Sequence, residues 1–314
     1  MQDEFYGLVN EIHDKIERGE KRFRLMDDKI AWNRFCASIY AIEDAQFAID
    51  AYSEFPFPED TKGKYLYIYG LLQALFLQQD AANGVSVALC NAQINLKENY
   101  PFLHTIREIR NDTVGHPTER THGPKNSKTV SYIQLSQVSM HKDGFRYCLY
   151  RQENDFRFED KQVDLSAVIS EQRKGILEIL SEVCKHLDKE YKDYLKKFED
   201  NKMVEIFRNL DYAAEKALHD DYLAAAGMSS AKSMVNKCKD ALVERYGAWD
   251  ALDGFKYLIL DVEELFGLLE TLNYGNDCSR IKFYLTELLF EKLKSLRKLC
   301  QEVDAELEAD LKDA

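Results

Sequence analysis

Proline and glycine are scarce in this chain, at 5 and 14 of 314 residues, which excludes a collagen-like or disordered composition and a many-turned β-sandwich. The 7 cysteines, at positions 36, 90, 148, 184, 238, 278 and 300, are odd in number and no two stand at CxxC spacing. That pattern is neither a disulfide framework nor a zinc ribbon, and reduced thiols in a cytosol are the expectation. No apolar run reaches the length of about 18 residues that spans a bilayer. The opening Met1-Gln2-Asp3-Glu4-Phe5 is acidic and lacks the basic-then-apolar order of a signal peptide. A cytoplasmic protein without membrane contact is expected. Excess positive charge is also missing: 42 Lys and Arg against 55 Asp and Glu leave a net −13. A uniformly basic nucleic-acid coat is thereby ruled out, because phosphate would be repelled at long range, but one local basic patch is not. There is no GxxxxGK[ST] for nucleotide phosphates, no GxSxG elbow and no HExxH, so no cofactor and no metal is expected.

What is present is a chain able to build a core, with 45% hydrophobic residues including 18 Tyr and 17 Phe. Its length suits about two domains at roughly 100–200 residues each. Residues 1–25 read as one short helix. From Asp28 to Tyr52, Ile30, Trp32, Phe35, Ile39, Ile42, Phe47 and Ile49 recur at helical spacing until Phe55-Pro56-Phe57-Pro58 stops the run. A second helix is expected over about 64–91, with Tyr65, Tyr69, Leu72, Phe76 and Gln79 on one stripe. Its Gln78-Gln79-Asp80 cluster is a solvent face or a helix–helix hydrogen bond. A third helix starts at Pro101 and runs toward Gly115. Between about 129 and 164 the period shortens to that of strands, with turns at 141–144 and 152–155, which predicts a three-stranded antiparallel meander. A long helix is expected from Leu165 to about Phe198, and further helical segments near 202–226, 229–246, 249–274 and 277–312, with Ser229-Ser230 as an N-cap and Tyr274-Gly275-Asn276-Asp277 as a turn. The fold class is therefore mainly α: an N-terminal antiparallel helical bundle over 1–200, interrupted by the small inserted β-meander, then a helical C-terminal region over 201–314.

The chemistry concentrates in Arg107-Glu108-Ile109-Arg110-Asn111-Asp112-Thr113-Val114-Gly115-His116-Pro117-Thr118. Arg110 and His116 are six positions apart, about 240° of rotation on an ideal helix, so they share one site only if the helix breaks between them. Gly115 permits a break, and Pro117 pushes His116 out of the α region. His116 would then lie just beyond a helix C-terminus, whose partial negative charge favours imidazolium. Imidazole suits proton transfer near neutral pH, and a guanidinium offers a planar fork for a phosphodiester or its pentavalent transition state. The pair is the minimum for metal-independent RNA cleavage, in which a ribose 2′-OH attacks its own phosphate. Transesterification needs one group to take a proton and one to give it, and a two-fold dimer would supply both from two copies of Arg110 and His116. The structural alternative has Arg110 paired with an acid and His116 capping the helix.

Arg110-Asn111-Asp112-Thr113-Val114-Gly115-His116 resembles the R-x4–6-H motif of HEPN domains, which often carry a polar residue such as Asn directly after the Arg. The preceding helix, with Tyr69-Gly70-Leu71-Leu72-Gln73-Ala74 and Gln78-Gln79-Asp80-Ala81, is similar to the helix before the motif in some bacterial members. The resemblance covers about residues 28–117, with the helix after the meander as a candidate fourth bundle helix. It implies an up-and-down bundle of four to five helices, a homodimer with the motifs meeting at its interface, and an endoribonuclease in a toxin or antiviral defence role. A neutralising antitoxin or regulatory protein is a further expected partner. By carry-over Arg110 and His116 are catalytic and Asn111 is the polar accessory. The alternative function is a non-catalytic helical module that binds RNA or protein.

Arg107, Arg120, His122, Lys125 and Lys128 gather around the motif as a positive island suited to an RNA backbone. Phe145, Tyr147, Phe156 and Phe158 on the meander are expected mainly in the core, with base stacking as the alternative. Glu182 with His186, and His219-Asp220-Asp221, are read as helix-face and helix-end charge rather than metal sites.

Overall fold

The computed structural model describes residues 2–122, 128–218, 222–272 and 279–313. The helices are α1 (Gln2–Ile16), α2 (Lys21–Asp27), α3 (Lys29–Glu54), α4 (Thr61–Cys90), α5 (Leu96–Asn99) and α6 (Pro101–Arg110), which runs on into a single π turn, Asn111–Gly115. Next come strands β1 (Arg120–His122), β2 (Thr129–Leu135), β3 (Gly144–Arg151) and β4 (Phe158–Asp164), then α7 (Leu165–Phe198), α8 (Leu210–Ala217), α9 (Tyr222–Tyr246), α10 (Asp253–Leu272) and α11 (Ser279–Asp313). The chain is mainly helical, with one small antiparallel sheet. It forms two compact units, the first from Met1–Lys15 and Asp28–Leu187, the second from Ile16–Asp27 and Asp188–Ala314. The division falls inside α7 rather than after it.

Local chemistry sets the helix ends of the first unit. The Asp28 carboxylate accepts from the Ile30 and Ala31 N–H groups at 3.0 Å each, Asp60 accepts from Gly63 at 3.0 Å, and Asp164 accepts from Ala167 at 2.9 Å to open α7. Asn91, at φ 51°, closes α4 in the left-handed conformation, and Pro101 sits at the start of α6, where its missing N–H costs nothing. The short link across Pro56 and Pro58 returns α4 against α3, as a short connection between neighbouring helices does. Gly84 lets the two helices approach closely at their crossing, where a β-carbon would displace the Ser38 hydroxyl. The core takes Phe35, Ile39, Ile42 and Ile49 from α3, Ile68, Leu71, Leu72 and Leu75 from α4, Leu103 and Ile106 from α6, and Ile176, Ile179 and Leu180 from α7.

A relay of buried amides threads this core. Gln78 donates to Gln46 at 2.8 Å, Gln172 donates to Gln78 at 3.0 Å and to the Leu75 carbonyl at 3.0 Å, and Gln79 donates to Gln172 at 2.8 Å and to the Leu103 carbonyl at 3.1 Å. Gln78 and Gln79 are thus helix–helix hydrogen-bonding groups, whereas the adjoining Asp80 is exposed.

The sheet has four strands in the order β1-β2-β3-β4, all antiparallel, one more than the expected meander. The additional strand, Arg120–His122, is only three residues long, too short for its period to stand out. Phe145, Tyr147, Leu149 and Val163 face inward and are buried. Two helices, not one, occupy the first 27 residues. In the second unit α9 runs unbroken through Ser229-Ser230, which is mid-helix and caps nothing, while the expected turn at 274–277 lies outside the described residues. That unit's core joins Phe207, Leu210, Ala231, Cys238, Ile259 and Leu293 with their neighbours.

Candidate active site

α6 does not break between Arg110 and His116, as the spacing suggests it must; it widens. The His116 N–H donates to the Asn111 carbonyl five residues back at 2.8 Å, closing a π turn. One extra residue in the turn redirects the chain beyond it by about 100° without interrupting the backbone hydrogen bonds. The chain then leaves the helix at His116 (φ −138°, ψ 53°), where Pro117 disfavours α conformation.

The wide turn places the Arg110 guanidinium along the helix against Gly115. A β-carbon at Gly115 would stand 2.8 Å from Nη1 and 3.7 Å from the Asn111 side-chain oxygen. Gln73 of α4 accepts from Arg110 Nε at 3.1 Å and from Nη2 at 2.8 Å, and Asn111 accepts from Nη1 at 3.1 Å. The guanidinium carbon lies 4.2 Å from the centre of the Phe76 ring. These partners are all neutral. Among the described residues Arg110 has no carboxylate partner, and two of the five guanidinium N–H groups, one on each terminal nitrogen, remain uncommitted. His116 is exposed, and among the described residues its imidazole makes no hydrogen bond or ion pair. The structure therefore brings Arg110 and Asn111 together and sets the guanidinium beside the residue that precedes His116.

The surrounding basic residues differ from Arg110. Arg107 pairs with Asp80 at 2.5 Å while lying 4.0 Å from the Phe76 ring centre. Arg120, expected on an RNA-tracking surface, is half-buried and clamps Asp112 at 2.5 Å and Glu108 at 2.7 Å. Burial alone would raise the Glu108 carboxyl, but the hydrogen bond and charge of Arg120 outweigh it and hold the group below the usual carboxylate range. Burial likewise works against the Arg120 charge, and the two carboxylates more than offset it. Tyr147 reaches the same cluster from β3; burial pushes its hydroxyl up, and the Asp112 charge adds to the effect. The sheet thus fixes the π turn through Arg120 and Tyr147. His122 is held by Ser131 at 2.8 Å, Lys128 is exposed, and Lys125 lies outside the described residues.

Gln73, Phe76 and Glu108 carry no role at the site in a reading of the sequence; Tyr147 is read there only as a core or base-stacking residue, and Asp112, whose side chain the sequence offers to backbone or substrate groups, pairs with Arg120 instead. One signal for Gln73 was available. It interrupts an otherwise apolar outer seam of α4, Leu66-Gly70-Gln73-Leu77, at heptad-like spacing.

Among the lesser candidates, Glu182 accepts from the Tyr100 hydroxyl at 3.0 Å, Cys184 is buried, and His219-Asp220-Asp221 lies outside the described residues. Among the described residues no group of three or more His, Cys, Asp or Glu is arranged to hold a metal, and no helix is long and apolar enough to cross a membrane. The chain matches no family model, no curated protein and no solved structure.

Proposed function

We propose that this protein is a HEPN-type endoribonuclease that cleaves RNA without a metal, by attack of a ribose 2′-OH on the adjoining phosphodiester. The observation that carries the reading is the condition of Arg110. Every other arginine of the island with a described ion pair is neutralised by acids, whereas Arg110 is held by two amides and an aromatic ring with two N–H groups to spare. A cation oriented by neutral groups keeps its full charge for a phosphate, and its preset geometry suits the charge that develops on the equatorial oxygens. Asn111 orients that fork. His116 takes the proton from the 2′-OH or gives one to the departing 5′-oxygen.

Two proton transfers need two such groups, and the reading includes a homodimer that supplies the second His116. The α4 seam favours it: Leu66 and Leu77 are exposed, Gly70 is exposed with open space around it, and Gln73 between them holds Arg110. A second copy packed along this seam brings both arginines to the same junction. The biological setting that fits is a cytoplasmic toxin or antiviral defence protein restrained by an antitoxin or regulatory partner.

The test is cleavage of RNA in EDTA by the wild type and by Arg110→Ala and His116→Ala. Metal-free cleavage lost in both folded variants supports the enzyme. The second reading, a non-catalytic RNA- or protein-interaction module, is favoured by the pairing of Arg107 and Arg120 with acids in a protein of net charge −13. Equal inactivity of all three proteins would support it.

A further inference from the structure

The outer face of the sheet carries a row of aromatic rings that the core does not use. Tyr132 on β2 pairs with Tyr150 on β3, and Tyr150 pairs with Phe158 on β4, so the three side chains stand side by side across three strands. Tyr132 is 37% and Phe158 65% exposed, while the opposite face of the same strands buries Phe145, Tyr147 and Leu149. Outward positions of a one-sided antiparallel sheet are ordinarily polar, so an aromatic row there answers to something other than folding. Phe156 extends it. This bulky residue sits at φ +55°, a left-handed conformation that side chains of its kind resist, and its ring centre lies 6.0 Å from that of Tyr132.

The row starts beside the segment that follows His116. The Ile133 N–H, next in the chain to Tyr132, donates to the Pro117 carbonyl at 3.2 Å, and the Tyr132 hydroxyl donates to Glu119 at 3.4 Å. The segment just after His116 is therefore the neighbour of Tyr132, and the rings lead away from it across the sheet. Exposed Arg157 lies between Phe156 and Phe158 in the chain, and Arg146 projects on the same outer face, paired with Asp160.

We infer that this face is a stacking platform for two or three unpaired bases of single-stranded RNA next to the bond to be cut. Aromatic rings bind single strands of any sequence because every base presents a flat face, and a strand laid on this row has its backbone directed toward His116. The inference rests on the ribonuclease reading and names its substrate class.

The experiment measures binding of the full chain to a fluorescent 2′-O-methyl oligonucleotide of about ten residues, which lacks the attacking hydroxyl and stays intact. The expected result is about 10-fold weaker binding for Phe158→Ala and for Tyr150→Ala, near-wild-type binding for Phe158→Trp, and weaker binding of a duplex than of the single strand, with melting temperatures confirming the fold. Equal affinity of Phe158→Ala and wild type, or no binding of any single strand, overturns the platform. So does a loss of self-association in the ring variants with RNA binding unchanged, which makes the face a protein contact. Cleavage of a dinucleotide, too short to reach the row, reports on Arg110 and His116 alone. Intact dinucleotide cleavage with ring-independent oligonucleotide binding removes the platform and leaves the enzyme. Ring-dependent binding with no cleavage of any RNA removes the enzyme and leaves the platform.

Discussion

The guanidinium of Arg110 rests so close to Gly115 that a β-carbon on the glycine would stand 2.8 Å from Nη1. The atom in the way is the far end of a flexible side chain, so the fold tolerates Gly115→Ala while the guanidinium must move. Cleavage by Gly115→Ala is expected to fall about 100-fold, the effect of a misplacement of about 1 Å, with an unchanged melting temperature. Single-turnover RNA cleavage and a thermal scan check both halves.

Gln73 holds the same guanidinium without opposing its charge. Gln73→Glu puts a carboxylate at those two hydrogen bonds and turns the neutral hold on the guanidinium into an ion pair. Cleavage is expected to fall by about 100-fold, with stability equal to the wild type or slightly higher, whereas Gln73→Leu loses activity by leaving Arg110 unanchored. A measured rate for Gln73→Glu equal to the wild type would show that Arg110 does not meet the phosphate.

Arg120 is committed to two carboxylates, Asp112 and Glu108. Asp112 is buried, and Arg120→Leu leaves it without its cation, at a cost of about 3 kcal/mol in urea unfolding at neutral pH. The pH dependence has a definite sign. Arg120 holds the Glu108 carboxyl below its ordinary value of 4.5, so the unfolded chain binds more protons there than the folded one. The stabilisation is complete above 4.5 and drains as pH falls below it. The gap between wild type and Arg120→Leu is therefore widest at neutral pH and narrows in acid, as urea midpoints at a series of pH values would record. Glu108 is 39% exposed, so solvent screening keeps this pH-dependent contribution small.

Gln172 of α7 is the hub of a buried relay that links α3, α4, α6 and α7. Gln172→Leu removes the donor to Gln78 and to the Leu75 carbonyl and the acceptor of Gln79. Gln78 then keeps only its bond to Gln46 and Gln79 only its bond to the Leu103 carbonyl; buried polar atoms that lose a partner cost about 1–3 kcal/mol each, and a loss of roughly 2–4 kcal/mol is expected in urea unfolding. A loss below about 1 kcal/mol would mean that water replaces the missing side chain.

Much of the helical order is legible residue by residue. The helix expected from Asp28 begins at Lys29, Pro101 opens α6, and α7 has the expected bounds, whereas α4 starts at Thr61, ahead of the expected 64, because Asp60 caps it. The exceptions have physical causes. The Ser229-Ser230 pair offers the same hydroxyls as a cap, but burial of Ala231, Val235 and Cys238 on one continuous face carries α9 through it. The three-residue β1 is specified by pairing with β2, not by its own period. Strand register sends Phe145 and Tyr147 to the core and Phe158 to the surface, and Phe156, in the turn before β4, is exposed as well, where core burial is expected from the sequence for all four.

By itself the sequence determined where most of the helices and three of the four strands run and which residue types, Arg110, Asn111 and His116, stand at the end of α6, because periodicity, caps and turn residues act over a few neighbouring positions. Only the tertiary structure decided which guanidinium stays free of acids and which rings stay out of the core. Asp80 lies 27 residues from Arg107, and Gln73 lies 37 from Arg110, so the balance of charge at the site arises when distant segments meet.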